Sequence, residues 1–215
     1  MKSKVDQLYG LAESQQGYFT AGQAVACGYP TSSHVYHRKQ GAWLREGRGI
    51  YRLARFPASD DGQYVRWALW SRNRRGVPQG VFSHQTALAL FDLSDLMPAR
   101  IHMTVPPGFR RNSAIPEVLV LHRGELAEGD VEVRQGYRVA RPLKAVADLL
   151  DDPAVSPGHL RQALREGLER GLIARAEMEA HPRAKALKQL LRGKRSRKMM
   201  PMPHLRRSGR RWKPG

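Results

Sequence analysis

The sequence predicts an α+β protein: an N-terminal winged helix-turn-helix over residues 1–56, a small mixed α/β domain over 57–192, and a disordered basic tail over 193–215. Three observations carry this reading. The stretch from Thr31 to Pro57, TSSHVYHRKQGAWLREGRGIYRLARFP, reads as a helix, a stop at Gly41 and a two-stranded ribbon. Ahead of it lie two shorter helical patterns, the second joined to it by a turn of three residues, Gly28-Tyr29-Pro30, which is helix-turn-helix spacing. Behind it, strand and helix patterns alternate until apolar periodicity stops near Gly193.

Val5, Leu8, Leu11 and Ala12 recur at helical spacing, so Lys4 to Gln16 is a first helix closed by Gly17. Tyr18-Phe19 is a short strand or an aromatic plug. Thr20 caps a second helix, Ala21 to Cys27, which Gly28 ends. Thr31, with Ser32 and Ser33 behind it, supplies N-cap chemistry to the third, because its oxygen can take an orphan backbone N–H. Gly41 stands where a helix C-terminus favours a left-handed residue. Trp43-Leu44-Arg45 and Ile50-Tyr51-Arg52-Leu53 flank Glu46-Gly47-Arg48-Gly49, whose glycines permit the positive φ of a tight tip. A basic helix followed by a ribbon with arginine at its tip puts one element in a DNA major groove and the other on the phosphate backbone. The alternative is a three-helix bundle with a surface hairpin. The basic residues favour the winged form, since they fall on the two elements it would use. Thr31, Ser32, Ser33, His37, Arg38 and Lys39 are the candidates for groove contacts, and Arg45, Arg48 and Arg52 for phosphate contacts. Periodicity leaves open whether His34 or Val35 faces inward.

These residues also resemble a known family. YFTAGQAVACGY, the helix ending in RKQG and the ribbon REGRGIYRLARFP are similar to the winged-helix domain of AbiEi-type antitoxins, the Gly-Ile-Tyr-Arg-Leu run being the most specific piece. GVFSHQTALALFDLSDLMPARIHMTVP and GYRVARPLKAVADLL resemble parts of the domain that follows it in those proteins. The resemblance implies a repressor of its own operon that counteracts a toxin of nucleotidyltransferase type. The partners it implies are double-stranded DNA of its own promoter and that toxin, with direct contact between the two proteins left open.

Composition limits the function classes. One cysteine, Cys27, excludes an internal disulfide framework and suits a reducing compartment. The opening MKSKVDQLYG lacks the apolar core of a signal peptide, and no run approaches the roughly 18 apolar residues of a membrane helix. The expectation is a cytoplasmic protein. The net charge of +18 is uneven. Residues 1–56 hold 8 Lys/Arg against 3 Asp/Glu, residues 57–180 hold 16 of each, and residues 181–215 hold 13 against none. The basicity therefore sits at the two ends, and blocks of like charge often bind polyanions.

In the second unit, Tyr64 to Trp70 is helical and Asn73-Arg74-Arg75-Gly76 breaks it. Val81-Phe82 is a short strand, and Ser83 caps a helix through Phe91. Ile101, Met103 and Val105 alternate with Arg100, His102 and Thr104, the pattern of a half-buried strand. Val118 to Leu121 is apolar throughout. Val131–Arg134 and Tyr137–Val139 form a hairpin across Gln135-Gly136. Pro142 opens a helix whose Leu143, Val146, Ala147 and Leu150 make one apolar stripe. Ser156-Pro157 opens another, with Leu160, Ala163, Leu164 and Leu168 inward and Gly171 at its end. These stripes read as core. The tail KRSRKMMPMPHLRRSGRRWKPG cannot bury enough surface to offset its ordering entropy.

Catalysis is not expected. No Glu-x-Lys or Gln-x-Lys of a restriction-type nuclease occurs, and the phosphate loop ending in Gly-Lys-Ser/Thr is absent. Cys27, His34 and His37 lack a fourth zinc ligand. Ser83 beside His84 has no oxyanion loop or oriented acid and reads as an N-cap. No cofactor or metal is expected. The expectation is a DNA-binding antitoxin and repressor; the alternative is an RNA-binding or ribosome-associated protein working mainly through its tail.

Overall fold

The computed structural model describes residues 2–112 and 114–193. The N-terminal unit runs α1 (Lys4–Glu13), β1 (Tyr18–Thr20), α2 (Ala21–Ala26), α3 (Thr31–Lys39), β2 (Trp43–Gly47) and β3 (Ile50–Leu53). Its three strands form an antiparallel sheet in the order β1-β3-β2. This is the winged helix-turn-helix expected from the sequence. Two capping boxes fix its first helices. Ser3 and Asp6 exchange bonds at the start of α1, and Thr20 and Gln23 do so at α2. Helix α1 ends at Glu13, earlier than its periodicity implied, and the next residues form a turn.

Helix α3 departs from expectation at its start. Pro30 is the N-cap, no side chain caps the helix, and Thr31 is already helical. Proline has no side-chain acceptor to offer the first turn; the Ser33 N–H bonds to the Pro30 carbonyl at 2.8 Å instead. Gly41, at φ +68, gives the left-handed exit. The ribbon turns at Arg48-Gly49, with Gly49 at φ +66.

The second unit runs α4 (Gly62–Trp70), β4 (Val81–Phe82), α5 (His84–Leu90), β5 (Ile101–Val105), β6 (Leu119–Arg123), β7 (Val131–Arg134), β8 (Tyr137–Ala140), α6 (Pro142–Leu149), α7 (Pro157–Glu169), α8 (Arg175–Ala180) and α9 (Ala184–Arg192). The strands form a mixed sheet ordered β6-β5-β4-β8-β7. Pairs β5–β6 and β4–β8 are parallel, while β4–β5 and β7–β8 are antiparallel. Residues 194–215, which hold the expected basic tail, lie outside the described residues.

The ribbon sheet packs against a core on each face. Side-chain alternation puts Phe19 and Tyr51, a cross-strand pair, on the face toward α1–α3. Tyr18 and Ile50 point the other way and join Val65, Leu69 and Trp70 of α4 in the core of the second unit. The division near residue 56 therefore crosses a shared core.

Ser83 also departs from expectation. It is the N-cap residue of α5, but its side chain makes no capping bond. Its fully buried hydroxyl accepts from Thr104 Oγ1 at 2.8 Å and meets His84 Nδ1 at 3.0 Å. His84 sits at φ +54, in a region that non-glycine residues seldom occupy. Its ring stacks on His122 with centroids 3.5 Å apart, and His122 Nε2 lies 3.1 Å from His102 Nδ1. Burial, then the neighbouring imidazoles, push His84 down to about 3. Burial, then His122, push His102 down to about 4. Burial also lowers His122, against the pull of Asp148 and Asp152.

The unfolded chain protonates these rings near pH 6.5, well before the folded one does. Stability is therefore intact above that pH and is lost as pH falls toward the folded values. The denaturant midpoint should be constant above about pH 7 and fall steadily toward about pH 5. His102→Gln should flatten that fall; an equally steep fall in the variant would remove the cluster as its cause.

Candidate nucleic-acid interface

Helix α3 has an unusual polarity. Its two most hydrophobic residues, Val35 and Tyr36, are 51% and 60% exposed, whereas His34 is buried at 3%. His34 faces Tyr29, Trp43 and Tyr51, and its Nε2 lies 2.9 Å from the Tyr29 carbonyl oxygen. His37, one turn on, stacks on Trp43 at 4.7 Å. Burial first, then Lys4 and His34, lower its pKa, so its ring is held neutral against the indole. Trp43 is the common partner, touching Phe19, Tyr29, His34, His37 and Tyr51. With the histidine side of α3 pinned there, the opposite side faces solvent.

This sorts the sequence candidates. Thr31, Ser32, Arg38 and Lys39 are exposed on α3. Ser33 is half-buried and its hydroxyl donates to the Pro30 carbonyl at 2.8 Å. His37 is half-buried in the aromatic cluster. On the ribbon, Arg45 and Arg48 are exposed. Arg52 is half-buried, paired with Glu46 at 3.3 Å and donating to the Phe56 carbonyl at 3.2 Å. Six of the nine candidates thus present free surface: four on the helix and two on the ribbon. Val35 and Tyr36 join them as exposed apolar groups able to contact thymine methyls or sugars. Neither stands among the sequence candidates, because periodicity left open whether His34 or Val35 faces inward.

The imagined zinc ligands are otherwise engaged. Cys27 is buried and free, and His34 is committed to the Tyr29 carbonyl. Among the described residues, no group of three or more His, Cys, Asp or Glu could hold a metal ion. The Ser83 hydroxyl is buried beyond reach of a substrate carbonyl. Among the described residues, no helix is long and apolar enough to cross a membrane.

A two-helix turn, an outward basic helix and a cationic ribbon define a domain of the winged helix-turn-helix class. Residues 6–54 match the family described as "Transcriptional regulator, AbiEi antitoxin". No curated protein matches the chain. Among solved structures, the RV2827C protein from Mycobacterium tuberculosis is similar in fold, with a TM-score of 0.52 at 16% identity, over 89% of this chain and 77% of that one.

Trp43→Ala should cost about 3–5 kcal/mol of stability, the range for emptying a large aromatic site in a core. Denaturant unfolding checks this. A loss below about 1 kcal/mol would show that α3 is held by something other than this cluster.

Proposed function

We propose that the protein is a DNA-binding antitoxin that represses its own operon and counteracts a nucleotidyltransferase-type toxin in the cytoplasm. The carrying observation is the outward face of α3, with Thr31, Ser32, Arg38 and Lys39 free beside the exposed Arg45 and Arg48 of the ribbon. Hydroxyls and a lysine on a helix can read base edges, while arginines on a ribbon hold phosphates. The match of residues 6–54 to the AbiEi antitoxin regulators supports both halves of the reading. Residues 1–56 are assigned to operator binding and 57–192 to toxin control. Ser33, His37 and Arg52 stay within the proposed interface as supports of its shape, set by the bonds they already make.

The two elements should be separable. Arg48→Gln should weaken operator and random duplexes alike and reduce the slope of log affinity against log salt by roughly 0.9. Lys39→Gln should narrow the gap between operator and random DNA by about 1–3 kcal/mol. Mobility-shift titrations on both duplexes read these effects. Equal losses on both DNAs for Ser32, Arg38 and Lys39 substitutions would take groove reading away from α3. Co-expression with a neighbouring toxin gene tests the second half: the full chain should restore growth. A neighbouring gene that is harmless alone would remove the antitoxin role and leave the repressor.

A further inference from the structure

Residues 57–180 are neutral by count but not by position. Arg72 leaves the end of α4 and reaches back to the ribbon. Its Nη2 lies 3.4 Å from both the Arg48 and the Gly49 carbonyl oxygens, and its Nη1 donates to the Leu69 carbonyl at 2.7 Å. A Cβ at position 49 would stand 3.1 Å from that Nη2, so glycine there admits the guanidinium as well as the turn. Arg111, from the segment after β5, donates through Nη1 to the Arg72 carbonyl at 3.1 Å. Its guanidinium lies over the Trp70 ring at 5.0 Å. Its Nε is buried with no hydrogen-bond partner.

Neither arginine takes part in an ion pair among the described residues. Burial, and for Arg72 the adjacent Arg111, lower the pKa of both, and no carboxylate offsets this. Both arginines are half-buried; even partial burial of a charge without a counter-charge is costly, and arginine does not escape by losing its proton. Exposed arginines surround the pair: Arg48 on the ribbon, Arg74 and Arg75 just after Arg72, and Arg110 beside Arg111. The guanidiniums thus gather positive charge at the ribbon tip, with Arg72 and Arg111 coming from outside the family-matched residues 6–54.

We propose that Arg72 and Arg111, with Arg110 at the rim, form a phosphate-binding site for the backbone of the duplex that α3 reads, so that the second unit takes part in DNA binding. The proposal rests on the DNA-binding reading above. The planar guanidinium fork suits phosphate oxygens. Arg72 also positions the ribbon tip, because the two carbonyls it approaches belong to the turn itself. A duplex lying along Arg48 brings a row of phosphates to this spot, whereas a small anion would have to be held by the site alone.

The test compares full-length wild type with Arg48→Gln, Arg111→Gln and Arg110→Gln in salt titrations on operator and random duplexes. Arg111→Gln should weaken both by roughly fivefold near physiological salt and flatten the salt slope by roughly 0.9, the signature of one lost phosphate contact. Arg110→Gln, at an exposed residue without structural bonds, should act in the same direction and keeps the test valid if Arg111→Gln fails to fold. If Arg48→Gln weakens binding while Arg110→Gln and folded Arg111→Gln bind as wild type, the site is overturned and the DNA-binding reading stands. If wild type binds no duplex, both fall. If inorganic phosphate stabilises wild type but not Arg111→Gln, and duplex affinity is the same in both, the site serves a small anion and the duplex proposal is wrong.

Discussion

The contact on which the interface depends is the packing of two histidines of α3 against Trp43. A nine-residue helix with only two apolar residues has little hydrophobic reason to dock anywhere. His34 and His37 supply it, one bonded to the Tyr29 carbonyl and the other stacked on the indole. Trp43 is also the first residue of β2, so the same ring fixes the helix and starts the ribbon. The angle between the two proposed DNA-contacting elements is thus set inside one aromatic cluster. Were α3 to dock through Val35 and Tyr36 instead, its basic residues would turn with it.

The ribbon sheet transmits this arrangement to the rest of the molecule. Its other face carries Tyr18 and Ile50 into the core built around α4. Polar bonds reinforce the seam: Gln135 donates to the Glu13 carbonyl at 2.7 Å, and Gln16 donates to Gln135 at 2.9 Å. Burying two large side chains is worth roughly 1.5–3 kcal/mol each, which favours a fixed relation between the units over a loose tether. Arg72 extends that relation to the ribbon tip.

Much of the fold was legible because local chemistry and tertiary packing agree. The cap at Thr20, the left-handed Gly41 and Gly49, and Leu143, Val146 and Ala147 of the α6 stripe have the roles their patterns imply, whereas Gly47 lies in β2 without a positive φ and Leu150 is the half-buried C-cap of α6. The failures have physical causes. The face of α3 was undecided because its apolar residues point outward and its histidines inward, the reverse of the usual rule. Ser83 looked like a cap, but its hydroxyl is taken by Thr104 and His84, which is knowable only once β4 and β5 are paired. Helices α8 and α9 drew no assignment: α8 is six residues with one buried side chain, Met178, whereas α9 carries a stripe of Leu187, Leu190 and Leu191 that joins the core. Counting charge by segment hid the arginines at the ribbon tip, because residues 48, 72 and 111 meet through the fold and not along the chain.

The central claim is that α3 and the ribbon dock as a unit on one defined stretch of duplex. Hydroxyl-radical footprinting of the full-length protein on the promoter of its own gene tests it most directly. The account expects a discrete protected site in which backbone protection flanks one major groove and extends on the ribbon side. Uniform, weak protection along the whole fragment at saturating protein would contradict it, leaving only a basic protein held to DNA by charge.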